Sequence, residues 1–188
     1  MNIDMKRTES ALRDLGIDNF SRYMQQSQLI SFFKEYEAGR IDDAAFVRAI
    51  GALSGKELKE EAVINAWNAL LLDFPAERIE LLRKLRKKYR IFLLSNTNAI
   101  HYRHFQHQLY MQTGNYLEDL FEKTYYSHTI GLCKPDVAAF RLVINENKLD
   151  PAETIFVDDS EANIAGAKEA GLHIAHIRPG TSILDIEW

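Results

Sequence analysis

The sequence has few of the residues that would place it in a membrane, on nucleic acid or in a disulfide framework. It holds one cysteine, Cys133, in 188 residues, so no internal disulfide can form and a reducing compartment is favoured. No apolar run approaches the ~20 residues of a membrane-spanning helix, and the first residues lack a signal-peptide core. The formal net charge of −4 gives no positive field to hold nucleic acid. These absences predict a soluble cytoplasmic protein without a nucleic-acid or membrane partner.

The first 88 residues predict a succession of helices. The overall composition, 46% apolar and 27% charged, is that of an ordinary globular protein. Asp42 is a candidate N-cap ahead of "DAAFVRAI", and Pro75 is suited to opening the helix that follows it. Helical spacing over residues 60–74 places five apolar residues on one stripe: Val63, Trp67, Leu70, Leu71 and Phe74. Four aromatic residues are expected to form the core of this region: Phe32, Phe33, Tyr36 and Trp67.

After Tyr89 the pattern changes to short apolar runs separated by helical segments. The segments 90–98 and 154–159 predict strands buried on both faces, because their apolar runs are bounded by polar turn residues. Further strands are predicted at 122–127 and 173–177. Strands that alternate with helices indicate a parallel α/β sheet. We therefore expect a helical region over residues 1–80 and an α/β core over residues 81–188.

Polar side chains follow three of these predicted strands. Ser95 and Asn96 follow "IFLL", Lys134 follows the strand at 122–127, and Asp158 with Asp159 follows "IFV". Each feature alone is also typical of a turn or a helix cap. Two adjacent carboxylates raise the cost of ionising each other, however, so a nearby cation is favoured. The carboxyl ends of parallel strands are where functional groups collect.

Taken together, these groups suit the chemistry of phosphoryl transfer. Carboxylate and amide oxygens are hard ligands that Mg²⁺ prefers. A hydroxyl and backbone amides at a strand–helix turn can hold phosphate oxygens, and a lysine can neutralise charge on a phosphoryl group. Positioning and charge neutralisation supply most of the catalysis in such reactions.

The segments "LLSNTN", "GLCKPD" and "FVDDSEAN", in this order, resemble the second, third and fourth motifs of the haloacid dehalogenase-like hydrolase superfamily. The adjacent aspartates of the last segment resemble its phosphatase-like branch. The resemblance implies a Rossmann-like α/β core with a small N-terminal helical cap, and Mg²⁺-dependent hydrolysis of a small phosphorylated metabolite through an aspartyl-phosphate. It implies these roles: Ser95, with Asn96, binds the phosphoryl group, Lys134 stabilises its charge, Asp159 with Asp158 ligates Mg²⁺, and Asn163 supports the loop.

The first motif of that family is not found in the sequence. It should be an apolar strand that ends in a nucleophilic aspartate, yet Asp4 follows only three residues and "MKRTES" after it does not match. We therefore expect the nucleophile to lie upstream of residue 1 and the 188-residue chain to be inactive. The resemblance makes the missing strand central, so the strands at about 91–95 and 154–158 should have unpaired edges.

Two other functions remain open on the sequence. A non-catalytic interaction protein with a degenerate site would explain the missing nucleophile. A metal-independent dehalogenase is less consistent with the pair Asp158 and Asp159, which has no evident use without a cation. Two further features are interpreted as solvated faces: the basic run at 83–90 and the histidines His101, His104 and His107.

Overall fold

In the described part of the chain, six helices precede the first strand. The computed structural model describes residues 1–23 and 27–188, so residues 24–26 of the predicted helical region lie outside it. Asp42 caps its helix as predicted, because its carboxylate accepts a 2.7 Å hydrogen bond from the backbone N–H of Ala45. The helices are α1 (Met5–Asp14), α2 (Phe20–Tyr23), α3 (Ser27–Glu37), α4 (Asp43–Ala52), α5 (Glu60–Asn68) and α6 (Ala76–Leu85).

The predicted helix over residues 60–74 is too long, because α5 ends at Asn68. Beyond it, the backbone N–H of Leu70 donates to the Thr8 hydroxyl, and that of Leu72 donates to the Asn2 carbonyl. These partners replace the next helical hydrogen bonds. The apolar stripe continues nonetheless because its second half, Leu70, Leu71 and Phe74, packs into a different core from its first half. Spacing alone does not distinguish one long helix from a shorter helix followed by a segment that packs into a second core.

Beyond residue 90, strands alternate with helices and pair in parallel. The elements are β1 (Phe92–Ser95), α7 (Ala99–Thr113), α8 (Leu117–Leu120), β2 (Lys123–Tyr126), α9 (Ser127–Ile130), α10 (Val137–Asn147), β3 (Ile155–Asp158), α11 (Glu161–Glu169) and β4 (His173–His176). Strand β1 pairs with β2, and β3 pairs with β4, both in parallel register. The predicted parallel α/β architecture is confirmed. None of the described helices is long and apolar enough to cross a membrane.

The two strand pairs form separate sheets, and β1 and β3 are each paired on one edge only within the described residues. The prediction that these strands are buried on both faces is therefore wrong. All four residues of β1 are only half-buried, and Ile155 at the start of β3 is 48% exposed. A strand with an open edge leaves its side chains accessible from that side, which accounts for the difference.

The core of the helical region is closed more completely. Phe46 is fully buried and stacks on Tyr36 with ring centroids 3.9 Å apart. Phe33 and Trp67 belong to the same buried cluster, and Phe32 packs against it, as predicted.

His101 is not the solvated histidine that the sequence predicted. It is 8% exposed and its ring stacks on Trp67 at 5.0 Å. Its Nε2 lies 3.0 Å from the Trp67 carbonyl and its Nδ1 lies 3.0 Å from the Asn98 amide. His104 and His107 are exposed, as predicted. The first turn of α7 thus contributes a polar ring to the helical core, a placement that the polar residues around it did not indicate.

The helical region contacts the α/β part at the carboxyl ends of β1 and β2. Gly39, with a left-handed φ of 70°, lies so close to α9 that a Cβ there would overlap the His128 carbonyl oxygen. Asp43 of α4 forms an ion pair with Arg103 of α7 and accepts a 2.7 Å hydrogen bond from the Tyr36 hydroxyl. These contacts hold the C-terminal end of α3 beside the strand ends that carry the candidate site.

Candidate active site

A buried ion pair lies at the carboxyl end of β3. Lys134 Nζ lies 2.6 Å from Asp158 Oδ2, and the two side chains are only 9% and 8% exposed. The ammonium also lies over the Phe156 ring, 5.3 Å from its centroid. A charge-assisted bond this short and this well shielded from water is screened much less by solvent and salt than a surface ion pair. Two groups 24 residues apart in sequence are thus joined at one point of the fold.

Both oxygens of Asp158 are held. Oδ1 accepts a 2.9 Å hydrogen bond from the backbone N–H of Ser160 and a 3.0 Å bond from the Asn163 amide, while Oδ2 faces Lys134. Burial disfavours the charged carboxylate, but the Lys134 charge and these hydrogen bonds outweigh it, so the pKa of Asp158 lies below its usual value. Asp158 is a fixed anion over the ordinary pH range.

Asp159 has a different environment from its neighbour. Its side chain is exposed and makes no hydrogen bond or ion pair with any residue of the described chain. Its backbone carbonyl lies 3.1 Å from His176 Nε2, which fixes the main chain at this point. The paired carboxylates are therefore unequal, because one is held by protein donors and the other is available to a ligand.

Ser160 and Asn163 shape the turn between β3 and α11. The Ser160 hydroxyl caps α11 by accepting from the backbone N–H of Asn163 at 3.4 Å. The same Asn163 turns its side chain back to Asp158. A residue that would ordinarily be read as part of a helix N-terminus therefore also orients a carboxylate of the site.

Two pairs of reciprocal hydrogen bonds join the loop after β1 to the Lys134 loop and to the end of β2. The Asn96 amide donates to the Lys134 carbonyl at 2.8 Å, and its Oδ1 accepts from the Lys134 N–H at 2.9 Å. The Ser127 hydroxyl donates to the Thr97 carbonyl at 2.8 Å and accepts from the Thr97 N–H at 2.9 Å. The ends of β1 and β2 and the Lys134 loop are thereby fixed to one another.

Ser95, the last residue of β1, lies at a cavity of about 230 Å³. The cavity lies beside β1 and extends from Met1 and α6 to Phe121. It is lined mostly by apolar side chains, among them Leu82, Leu93, Phe105 and Leu117.

The model of the haloacid dehalogenase-like hydrolases matches residues 8–171. The chain belongs to the haloacid dehalogenase-like hydrolase family. The resemblance drawn from three short motifs is confirmed over most of the sequence.

Individual relatives of this haloacid dehalogenase-like hydrolase are phosphatases. It is 30% identical over 171 residues to a D-ribitol-5-phosphate phosphatase of Bacteroides thetaiotaomicron, covering 91% of this chain and 83% of the relative. A sesquiterpene phosphatase of Aspergillus oryzae is 28% identical, over 90% of this chain and 80% of the relative. A crystal structure of a family enzyme from B. thetaiotaomicron, in complex with magnesium and inorganic phosphate, matches with a TM-score of 0.89 at 34% identity, covering 97% of this chain and 90% of that one.

The donor set of this family member fits a hard divalent cation only in part. Asp159 offers an exposed carboxylate without a protein partner, and Asp158 is a fixed anion beside it. Within the described residues, no group of three or more His, Cys, Asp or Glu side chains is close enough to hold a metal. A hexacoordinate Mg²⁺ here would complete its shell with oxygens from water, from a phosphate or from a further carboxylate.

Asp4 does not take part in this arrangement. Its carboxylate caps α1 by accepting a 3.0 Å hydrogen bond from the backbone N–H of Lys6, and its own N–H donates to the Leu70 carbonyl. It has the structural role of a helix cap. Sequence reasoning also missed Ser127, although its place directly after β2 is the signal that singled out Ser95 after β1.

Proposed function

We propose that this hydrolase is a Mg²⁺-dependent phosphatase that acts on a small phosphorylated metabolite. The observation that carries the proposal is the buried pair of Lys134 and Asp158 beside the exposed carboxylate of Asp159. A fixed ammonium and a free carboxylate at one strand end suit a substrate that brings negative charge together with a cation. The phosphatase relatives support the same reaction class. Their substrates, a polyol phosphate and a terpenoid phosphate, differ too much to identify the leaving group for this chain.

Each site residue has a role in this proposal. The Ser95 hydroxyl donates a hydrogen bond to a phosphoryl oxygen, and the Lys134 ammonium neutralises charge on the transferring group. Asp159 holds Mg²⁺ directly, while Asp158 keeps Lys134 in place and adds negative charge next to the metal. The bound Mg²⁺ would supply charge neutralisation at the phosphoryl oxygens. Asn163 orients Asp158 by its 3.0 Å hydrogen bond.

The carboxylate that attacks phosphorus is the part of the machinery that we do not assign to a described residue. Asp158 is bound to Lys134, and Asp4 is a helix cap. We propose that an aspartate at the end of a further strand, paired between β1 and β3, forms the aspartyl-phosphate. Two features support this: the open edges of both strands and their partly exposed side chains. Without that strand the 188-residue chain binds but does not turn over.

The helical region of residues 1–80 is proposed to act as a cap on the α/β core of residues 81–188. One close approach to the core, Gly39 against the backbone of His128, lies only a few residues before Lys134. Residues at the C-terminal end of α3 would then face the leaving group and select it. This assignment accounts for relatives of similar length acting on chemically different phosphates.

A non-catalytic interaction protein is the second candidate. The absence of an attacking carboxylate from the described site favours it, and it predicts no turnover in any form of the protein. The dehalogenase alternative is disfavoured because such a reaction needs no metal ion and gives the exposed carboxylate of Asp159 no role.

Hydrolysis of p-nitrophenyl phosphate, with and without Mg²⁺, separates these candidates. Two proteins are compared: the 188-residue chain, and the same chain preceded by an apolar strand that ends in aspartate. We expect Mg²⁺-dependent turnover in the longer protein only, and turnover several orders of magnitude lower in the shorter one. Equal Mg²⁺-dependent turnover by both would refute the missing nucleophile. No turnover by either protein on a panel of phosphomonoesters would favour the interaction protein.

A further inference from the structure

Asn96 directs its side chain at the main chain of Lys134. The amide nitrogen donates to the Lys134 carbonyl at 2.8 Å, and the amide oxygen accepts from the Lys134 N–H at 2.9 Å. One planar group thus satisfies both polar backbone atoms of one residue. The sequence had placed Asn96 among the groups that bind the substrate, whereas these hydrogen bonds are made within the protein.

Gly166 of α11 lies against the same loop at the residue after Lys134. A Cβ at this position would overlap the Pro135 carbonyl oxygen and press on the ring of Phe140. Gly166 is buried inside the helix, where glycine is unfavourable relative to alanine. The close approach of the loop backbone gives a physical reason for glycine at this position.

The tip of Lys134 is held as tightly as its main chain. Its ammonium bonds to Asp158 at 2.6 Å and lies over Phe156. A lysine side chain is long and flexible, so a fixed tip with a loose main chain would still allow the ammonium to move. Here the Lys134 backbone is fixed by Asn96, the Pro135 backbone after it lies against Gly166, and the ammonium is held by Asp158. A small displacement of the loop would therefore change the ammonium position directly.

We propose that Asn96 and Gly166 are positioning residues that clamp the Lys134–Pro135 backbone. Asn96 bonds to the main chain of Lys134, and Gly166 lies against the carbonyl of Pro135. The clamp sets the distance between the ammonium and Asp158 and, on the proposed function, between the ammonium and a bound phosphoryl group. Partners of this kind, one step removed from the ligand, commonly change affinity by about 10- to 100-fold when they are removed.

The test compares Asn96→Ala and Gly166→Ala with two matched controls. Gly51→Ala is the control for glycine, because Gly51 also lies inside a helix but a Cβ there would only make an ordinary 3.8 Å contact with Val63. Asn145→Ala is the control for asparagine, since Asn145 is exposed on α10. All four variants are made in the 188-residue chain and checked by thermal unfolding.

Two readouts are measured on each variant. The first is calorimetric binding of inorganic phosphate at saturating Mg²⁺, together with binding of Mg²⁺ alone. The second is the ¹H–¹⁵N signal of the Lys134 ammonium, assigned with Lys134→Arg, whose protons should exchange slowly because the group is buried and paired. We expect both clamp variants to weaken phosphate binding by about tenfold or more, to leave Mg²⁺ binding within about twofold of the parent, and to lose the protected ammonium signal.

The outcomes separate the clamp from the proposed function. If the parent binds no phosphate but the ammonium signal is lost in the clamp variants only, the clamp is supported and the phosphatase assignment is not. If phosphate binding and the ammonium signal in both clamp variants match the controls, the clamp is refuted. A parallel fall in melting temperature, Mg²⁺ binding and phosphate binding would also overturn it, because that pattern belongs to general destabilisation. Should Gly166→Ala fail to fold, Asn96→Ala decides between these results alone.

Discussion

The helical region and the strand-bearing region bury their apolar residues to different degrees. In the helical region, Phe46 is fully buried among Tyr36, Phe33 and Trp67. In the strand-bearing region, Ile155 is 48% exposed and the whole of β1 is half-buried. The candidate site thus lies on the less completely packed of the two. The helical region has a closed core, whereas β1 and β3 each have one unpaired edge within the described residues.

Truncating Phe46 should give the largest loss of stability. Phe46→Ala removes a fully buried ring and leaves a cavity, so we expect the free energy of unfolding to fall by about 3–5 kcal/mol. Urea denaturation followed by circular dichroism measures this. A loss below about 1 kcal/mol would contradict the tight packing of the helical core.

Replacing Gly39 tests how firmly the helical region is attached to the strand ends. Gly39→Ala meets two penalties, the positive φ of 70° and overlap with the His128 carbonyl. We expect a loss of about 3 kcal/mol, of which roughly 1–2 kcal/mol is the cost of the left-handed backbone.

Gly55→Ala is the control for that substitution. Gly55 has a similar φ of 67°, but within the described structure a Cβ there has nothing within 4 Å. Gly55→Ala should therefore lose only the roughly 1–2 kcal/mol of unfolding free energy that the left-handed backbone costs. Equal losses at both positions would show that the added methyl group at Gly39 meets no steric penalty from α9.

Acidification should weaken the helical core through His101. Burial lowers the pKa of His101 to about 4, from an ordinary value of 6.5. The unfolded chain therefore binds more protons between these values, and the stability present above pH 6.5 is lost as the pH falls towards 4. We expect a loss of roughly 2 kcal/mol between pH 7.5 and 5.

Urea denaturation as a function of pH measures the effect, and His101→Gln should flatten the curve over this interval. The same slope in the parent and in His101→Gln would assign the acid sensitivity to other groups. Partial burial also lowers the pKa of His128, so part of the slope should remain.

The smallest effect is expected in β3. Ile155→Ala should reduce the free energy of unfolding of the 188-residue chain by less than about 1 kcal/mol, because half of the side chain is already in water. In a protein that carries a strand between β1 and β3, the same substitution should cost more. Equal losses in the two proteins would argue that the open edge of β3 is not the place where that strand pairs.

The sequence predicted the parallel α/β architecture and the residues that meet at its strand ends. Lys134, Asp158 and Asn163 could be anticipated because the carboxyl ends of parallel strands converge, whatever the details of packing. The two-way bonding of Asn96 with Lys134 could not, since a side-chain amide suits a ligand and a backbone equally well. The end of α5 was missed because two different cores share one apolar stripe. His101 was missed because its burial depends on Trp67, which is 34 residues away.

Phosphate binding by the 188-residue chain tests the central proposal most directly, namely that Ser95, Lys134 and Asp159 bind phosphate together with Mg²⁺. Inorganic phosphate is titrated calorimetrically into the parent and into Asp159→Asn, with and without Mg²⁺. The account predicts saturable binding to the parent only when Mg²⁺ is present, and a loss of about tenfold or more in affinity in Asp159→Asn. Phosphate binding that is independent of Mg²⁺, or unchanged in Asp159→Asn, would contradict it.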